Sequence, residues 1–260
     1  MTIRIYQVDA FSDKPFAGNP AAVCPLEHWL SDTLMQQIAA ENNLSETAFF
    51  APEGDHYRIR WFTPTTEVDL CGHATLASAF VLFHCLQLQG DTVQFDSNSG
   101  PLFVERQGDY FQMDFPHEPC VPCAIPEGLP QALGTTPRHT LSGEDLLAVF
   151  DSEAEVAALK PHFEAFAGLP YRGVIATAKG DGDVDFVCRF FAPAVGVNED
   201  PATGSAFTKL APFWAKQLGK KSFHAKQISA RGGHILCEHN GERVLIRGQA
   251  CLVMHGELLL

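Results

Sequence analysis

The chain of 260 residues carries 31 acidic against 18 basic residues, a formal net charge of −13 at neutral pH. That balance argues against nucleic acid as a partner, because phosphates attract a basic face and the only adjacent basic pair is Lys220 with Lys221. Hydrophobic residues make up 46% of the chain, enough for one large domain or two smaller ones.

The eight cysteines are scattered along the chain, mostly inside apolar runs. The first residues alternate like a strand and lack the long apolar core of a signal peptide. Without an export signal, such cysteines are expected to be reduced thiols of a cytoplasmic protein.

The longest apolar run free of charge, residues 74–86, is too short to span a bilayer, so no membrane partner is predicted.

The first half of the chain alternates strand-like runs with two helices. Ser31 is predicted to cap the first helix. The second helix, residues 73–87, has no Asp, Glu, Lys or Arg on any face, so other structure must enclose it. The predicted strands are residues 3–11, 47–51, 57–62, 92–96, 101–106 and 109–115.

The second half begins in a proline-rich connector, residues 116–130, and we expect a domain boundary there. The N-terminal lobe is predicted to cover residues 1–117, with the last strand of the chain adding to it, and the C-terminal lobe residues 118–260. Helices are predicted at 152–167 and from Thr203, the latter kinked or broken at Pro212. The predicted strands are residues 173–178, 184–191, 224–230, 234–238, 243–247, 250–254 and 257–260.

Residues 60–76 are echoed 129 positions later in the chain. At this offset Arg60 matches Arg189 and Phe62 matches Phe191. The alternatives are an internal duplication and a chance similarity between two strand–turn–helix units. Two related helix N-termini would form a pocket for an anion, because each presents free backbone N–H groups.

Several side chains are candidates for proton transfer. Glu46 directly precedes an apolar strand, where burial would raise its pKa into the useful range; the alternative is a solvated glutamate at a helix end. His73 opens the enclosed helix and either exchanges protons or caps the helix. At the offset of 129, Asp200 stands opposite Cys71, so both are candidate proton-handling groups. The alternatives are that Asp200 caps its helix and that Cys71 is a core residue.

Several glycines lie where no side chain covers the backbone N–H groups, so that a ligand can reach them. Gly72 and Gly204, the latter followed by Ser205, begin the two related helices and suit a carboxylate or phosphate. Gly232 lies in a bend that either approaches a ligand or is a plain turn. The single Cys120–Cys123 pair and the absence of complete glycine-rich fingerprints predict no metal and no cofactor.

Four segments in this order resemble the phenazine-biosynthesis-like (PhzF) family: Phe16–Val23, Asn43–Thr47, Leu70–Thr75 and Glu199–Ser205. The resemblance covers essentially the whole chain. It implies an α+β protein with the diaminopimelate epimerase-like fold. In that fold two pseudo-symmetric lobes each wrap a barrel-like, mostly antiparallel sheet around a central helix, with the site between them.

The resemblance also implies residue roles. Glu46 matches the family's acid/base glutamate, whereas the two-cysteine diaminopimelate epimerases are matched only by Cys71, since their second region here reads Asp200-Pro201. The predicted catalytic residues are Glu46, His73 and Asp200, and the predicted substrate-binding residues are Asn19, Cys71, Gly72, Gly204, Ser205 and Gly232.

The function implied is a cofactor-independent isomerase or epimerase that moves a proton on a small carboxylate-bearing metabolite. A small anionic substrate and a homodimer are the expected partners. The alternative is a binding or regulatory protein that keeps the pocket without catalysis.

Overall fold

The computed structural model describes residues 2–260, which form 18 strands and five α-helices. The strands are β1 Thr2–Ala10, β2 Asn19–Pro25, β3 Glu46–Glu53, β4 His56–Phe62, β5 Glu67–Val68, β6 Thr92–Ser97, β7 Gly100–Gln107, β8 Tyr110–Pro116, β9 Val121–Cys123, β10 His139–Ser142, β11 Leu146–Val149, β12 Val174–Lys179, β13 Phe186–Ala192, β14 Val197–Asp200, β15 Ser222–Gln227, β16 Gly233–Asn240, β17 Arg243–Gly248 and β18 Ala250–Leu259. The helices are α1 Asp32–Asn42, α2 Gly72–Phe80, α3 Leu129–Leu133, α4 Glu153–Ala158 and α5 Phe207–Leu218.

The described residues divide into two compact units. The first runs to Asp114 and also contains Arg247–Leu260, and the second is Phe115–Ile246. The sheet is mostly antiparallel and the helices are few, so the predicted α+β class is confirmed. Among residues 2–260, no helix has the length and apolarity needed to cross a membrane.

Helix α2 lies in the core of the first unit. Every residue from His73 to Ala79 is buried, and a π-helical turn, Val81–Cys85, continues the helix. Strand β1 pairs antiparallel with both β2 and β18, while β2 pairs parallel with β3. The enclosure predicted from the lack of charged side chains is therefore present, because apolar strands surround a helix that has no charged face to show to water.

In the second unit α5 is the longest helix. Of the kink or break predicted at Pro212, the break is wrong because α5 continues through this residue. Proline lacks the N–H group that would bond to the carbonyl oxygen of Thr208 in the preceding turn. That carbonyl accepts the backbone N–H of Glu118 at 3.0 Å instead. A contact with the connector thus replaces the lost helical bond.

The predicted helix at 152–167 is too long. Helix α4 ends at Ala158, and a 3₁₀ turn follows only at Phe163–Gly168. Pro161 explains the interruption, because a proline disfavours the helical conformation of the residue before it. At the end of the chain the two predicted strands form the single strand β18.

The two halves of the repeat make the same side-chain contacts. Arg60 donates hydrogen bonds to both carboxylate oxygens of Glu67 at 2.7 Å. Arg189 donates to both carboxylate oxygens of Glu199 at 2.7 and 2.9 Å. Each guanidinium lies over the aromatic ring two residues later, at 5.2 Å in one case and 5.0 Å in the other. These matching contacts favour a duplication over chance similarity.

The correspondence shifts by three residues after the first strand of the repeat. Trp61 pairs with Val68, seven residues on, whereas Phe190 pairs with Asp200, ten residues on, across an irregularity in the register. By strand pairing, the counterpart of Cys71 is Thr203, not Asp200. Both of these residues occupy the N-cap position of a helical segment that begins with glycine.

Gly18 shapes the backbone that leads into β2. Its φ is +67°, and an added Cβ would lie 2.1 Å from the carbonyl oxygen of Ala10. We expect Gly18→Ala to lower the free energy of unfolding by more than about 2 kcal/mol, since the clash adds to the cost of a left-handed conformation. Urea denaturation measures the loss.

Gly54→Ala is the matched control for this prediction. Gly54 has a φ of +68°, but nothing lies within 4 Å of the added Cβ. Its loss should be only about 1–2 kcal/mol, the dihedral cost alone. Equal losses in the two variants would contradict the steric argument.

Candidate active site

Four predicted site residues meet at the beginning of α2 in the first unit. Asn19 opens β2 and Glu46 opens β3, and these strands run parallel, with Ala21 opposite Glu46. Their first residues therefore lie at the same edge of the sheet. Cys71 and His73 reach this edge from the start of α2.

The backbone at the start of α2 is fixed by the helix itself. The carbonyl oxygen of Cys71 accepts the backbone N–H of Thr75 at 3.1 Å and its hydroxyl at 2.6 Å. The Cys71 side chain makes no capping hydrogen bond at the N-terminus of the helix. The thiol instead points toward the His73 ring.

The imidazole of His73 contacts all three neighbouring side chains. Its Nε2 lies 3.1 Å from Oε2 of Glu46. Its Nδ1 lies 3.3 Å from the amide nitrogen of Asn19 and 3.5 Å from the sulfur of Cys71. The side chains of His73 and Glu46 are only 7% and 16% exposed, so these contacts form largely out of water.

These contacts select a tautomer for the neutral ring. When the Asn19 amide donates to Nδ1, the proton of the ring sits on Nε2, facing Glu46. Nε2 of His73 and Oε2 of Glu46 lie at ion-pair distance from each other, 3.1 Å. Within residues 2–260, neither Oε2 of Glu46 nor Nε2 of His73 has a well-aligned partner. Both atoms retain hydrogen-bonding capacity for a ligand.

Burial and mutual charge set the protonation of this cluster. Burial, together with the negative charge of Glu46, raises the pKa of Cys71, which is therefore a thiol at neutral pH. Burial by itself lowers the pKa of His73, but the neighbouring Cys71 and Glu46 side chains outweigh it and raise that pKa well above its ordinary value. With Cys71 neutral, Glu46 is the charge that acts on the ring.

The other predicted residues lie in the second unit, where Gln227 organises the turn that contains Asp200. The buried Gln227 side chain accepts the backbone N–H of Thr203 at 2.8 Å and donates to the carbonyl oxygen of Asp200 at 2.6 Å. The hydroxyl of Thr203 donates to the Asp200 carboxylate. Asp200 thus belongs to a turn with a fixed shape that leads into Gly204.

The bend at Gly232 is joined to the same turn. Ser229 donates its hydroxyl to the carbonyl oxygen of Pro201 at 2.7 Å and accepts the backbone N–H of Gly232 at 3.0 Å. Gly232 has a φ of +72°, a conformation that glycine adopts readily. The structure therefore brings the Gly232 bend next to Pro201 through Ser229.

Ser205 is held by a buried ion-pair network that the sequence motifs do not indicate. Arg172 donates to the Ser205 hydroxyl at 3.2 Å. It also donates to both carboxylate oxygens of the fully buried Asp145, at 2.9 and 2.5 Å. The buried ammonium of Lys209 lies 3.2 Å from the same carboxylate. Arg172 and Gln227 were missed because each acts on a residue more than 20 positions away.

The cysteine pair of the connector resembles no reactive site. Burial is the main reason that the pKa of Cys120 rises to about 11, so its thiol is a poor nucleophile at neutral pH. Cys123 lies 3.4 Å from the hydroxyl of Thr140. In the described part of the chain, the group that combines three metal-ligating side chains is Glu46, Cys71 and His73.

Residues 8–256 match the family model for phenazine biosynthesis-like proteins, PhzC-PhzF. The chain belongs to this family. An uncharacterized isomerase of Pseudomonas aeruginosa is 54% identical over 100% of both chains. Mouse phenazine biosynthesis-like domain-containing protein 1 is 40% identical over 99% of each chain. The crystal structure of a PhzF-family protein from Enterococcus faecalis superposes with a TM-score of 0.98 at 48% identity, covering 100% of both chains.

Glu46→Gln is expected to lower the pKa of His73. Removing the neighbouring negative charge disfavours the imidazolium, so the ring takes up its proton at lower pH. In the unchanged protein, the stability from this pair is full below about pH 6.5 and is lost as pH rises through the raised pKa of His73. Imidazole NMR titration of EDTA-treated protein measures the pKa of His73, and urea denaturation at a series of pH values measures the stability.

Cys71→Ser is the control for that titration. Because Cys71 is a neutral thiol near neutral pH, this variant should leave the pKa of His73 close to that of the unchanged protein. A large fall in Cys71→Ser, with none in Glu46→Gln, would show that a thiolate rather than Glu46 holds the proton on the ring.

Proposed function

We propose that this protein is a cofactor-independent isomerase that moves a proton on a small carboxylate-bearing metabolite, with Glu46 as the acid/base group. The observation that carries the proposal is the poorly exposed Glu46 carboxylate 3.1 Å from the buried His73 ring. The Pseudomonas aeruginosa relative named an isomerase supports the reaction class.

Glu46 begins the reaction by accepting a proton from a substrate carbon. The C–H bond breaks, its electron pair delocalises into the substrate's adjacent unsaturated group or carboxylate, and an O–H bond forms on Glu46. The return of the proton to another carbon, or to the other face of the same carbon, completes the isomerisation. A poorly solvated carboxylate suits this step because water does not compensate its charge.

His73 and the start of α2 stabilise the charge that develops. The His73 ring lies 3.1 Å from Glu46, and when it is protonated its positive charge limits the cost of the buried carboxylate charge. Gly72 presents backbone N–H at the positive end of the helix dipole, where a substrate carboxylate or an enolate oxygen is favoured. Asn19 and Cys71 hold the ring in its orientation.

Residues of the second unit keep the roles implied by the family resemblance. We assign Asp200 as a second proton-handling group and assign Gly204 and Ser205 to the anionic end of the substrate. The fixed turn around Gln227 and the Arg172 contact to Ser205 support these assignments, because a group that meets a substrate must be held in place beforehand.

The test is deuterium uptake at carbon. The protein is incubated in D₂O with a panel of α-amino acids and unsaturated carboxylates, and mass spectrometry detects exchange. Glu46→Gln should reduce the exchange rate by about 10²–10⁴-fold, the usual contribution of general acid–base catalysis. Its amide keeps the size of the side chain while removing the proton acceptor.

Glu53→Gln is the matched control, since Glu53 ends the same strand β3 and is exposed. It should exchange at the unchanged rate. A Glu46→Gln variant that folds normally and retains the full rate would exclude Glu46 as the acid/base group.

A further inference from the structure

We propose that Glu46, Cys71 and His73 form a binding site for a thiophilic divalent cation, Zn²⁺ above all, and that the bound ion inhibits the protein. The binding part stands on the geometry of the cluster alone. The inhibitory part rests on the proposed function, because it requires Glu46 to be the proton acceptor.

The chemistry of the three side chains fits zinc. A cysteine sulfur, an imidazole nitrogen and a carboxylate oxygen are the three kinds of ligand atom that zinc takes in proteins. One such atom from each of Glu46, Cys71 and His73 lies within 4.8 Å of the other two. Three protein ligands leave a fourth coordination position open, as in many zinc sites that exchange their ion or bind water.

Two of the separations are near those of a tetrahedral site, although they involve different nitrogens of the His73 ring. The Cys71 sulfur lies 3.5 Å from Nδ1 of His73, and Oε2 of Glu46 lies 3.1 Å from Nε2. Ligand atoms around a tetrahedral zinc lie about 3.3–3.6 Å apart, given the usual bond lengths. One ring offers one nitrogen to one ion, so a side-chain shift of about 1 Å must bring in the third ligand.

Two atoms of the cluster lack well-aligned hydrogen bonds within residues 2–260. These are Oε2 of Glu46 and Nε2 of His73, and the His73 side chain is only 7% exposed. Buried polar atoms normally have partners, so atoms without them are suited to a ligand. A cation at this place would satisfy both atoms and would offset the charge of Glu46.

The rest of the chain sets Cys71 apart from the other thiols. Cys24, Cys188 and Cys237 are also buried, but none of them belongs to a cluster of three ligand types among the described residues. Cys71 has an imidazole and a carboxylate beside it. The metal chemistry of this chain is therefore expected at Cys71.

A bound ion would stop the proposed proton transfer. An oxygen lone pair of Glu46 that is shared with zinc is no longer available to take a proton from carbon. His73, engaged as a ligand, would likewise no longer donate toward Glu46. Free zinc would thus compete with substrate for the same groups, and its removal would restore the site.

Binding is tested without any substrate, on the tag-free full chain after dialysis against EDTA. Co²⁺ is the spectroscopic probe, because a cysteine–cobalt bond gives a charge-transfer absorption. One equivalent should produce this absorption, and Zn²⁺ should displace it. Competition with a fluorescent chelator then gives the zinc affinity.

Cys71→Ser should abolish the absorption and weaken zinc binding by at least about tenfold, since even partners behind the ligands change affinity by that much. Glu46→Gln should weaken zinc binding while keeping the absorption. Cys85→Ser, which removes a thiol at the end of the same helical segment, should match the unchanged protein. No absorption in the unchanged protein, or persistence of it in Cys71→Ser, would overturn the site.

The inhibitory role has its own readout. One equivalent of Zn²⁺ should reduce the deuterium exchange rate at least tenfold, and EDTA should restore it. Zinc binding without loss of exchange would overturn the inhibition and leave the site standing. Exchange that requires zinc would overturn both the inhibition and cofactor independence.

Discussion

The burial of the His73 imidazole is the constraint on which the first unit depends. A buried ring with two nitrogens needs polar partners, and here they come from the first residues of β2 and β3 and from the helix that carries the ring. The parallel pairing of these strands puts Asn19 and Glu46 at one edge of the sheet. Helix α2 reaches that edge only because its uncharged faces allow the strands to enclose it. The burial of α2 with its His73 ring therefore shapes both the fold of the first unit and the candidate site.

Local signals predicted much of this arrangement. Ser31 caps α1 through its contact with the backbone N–H of Leu34, as the sequence indicated. Most strands follow from the sequence pattern, and the enclosed helix follows from its lack of charged side chains. Pro212 shows where local reasoning ends. Its lost hydrogen bond was foreseen, but the compensating bond from Glu118 lies some 90 residues away and leaves no pattern in the sequence.

The candidate site also contains residues that the sequence motifs identify and residues that they do not. Glu46, Asn19 and His73 lie in motifs, so a resemblance to a known family identifies them. Gln227 and Arg172 lie in no motif, and they act on Thr203 and Ser205 through contacts formed only after the strands pair. Side chains that position other residues are therefore the part of a site that sequence reasoning reaches last.

The two copies of the repeat share their structural contacts but carry different side chains at the start of the helical segment. Arg60 and Arg189 make equivalent contacts in the two units, but the N-cap residues that follow are Cys71 and Thr203. A pair of equivalent thiols is consequently absent at these two positions. The one thiol present has a raised pKa and stays protonated. In the proposed reaction, a single base that holds its proton out of water can return that proton to the same substrate. The duplication would then account for the frame of the site, and the contact of Glu46 with His73 for its proposed chemistry.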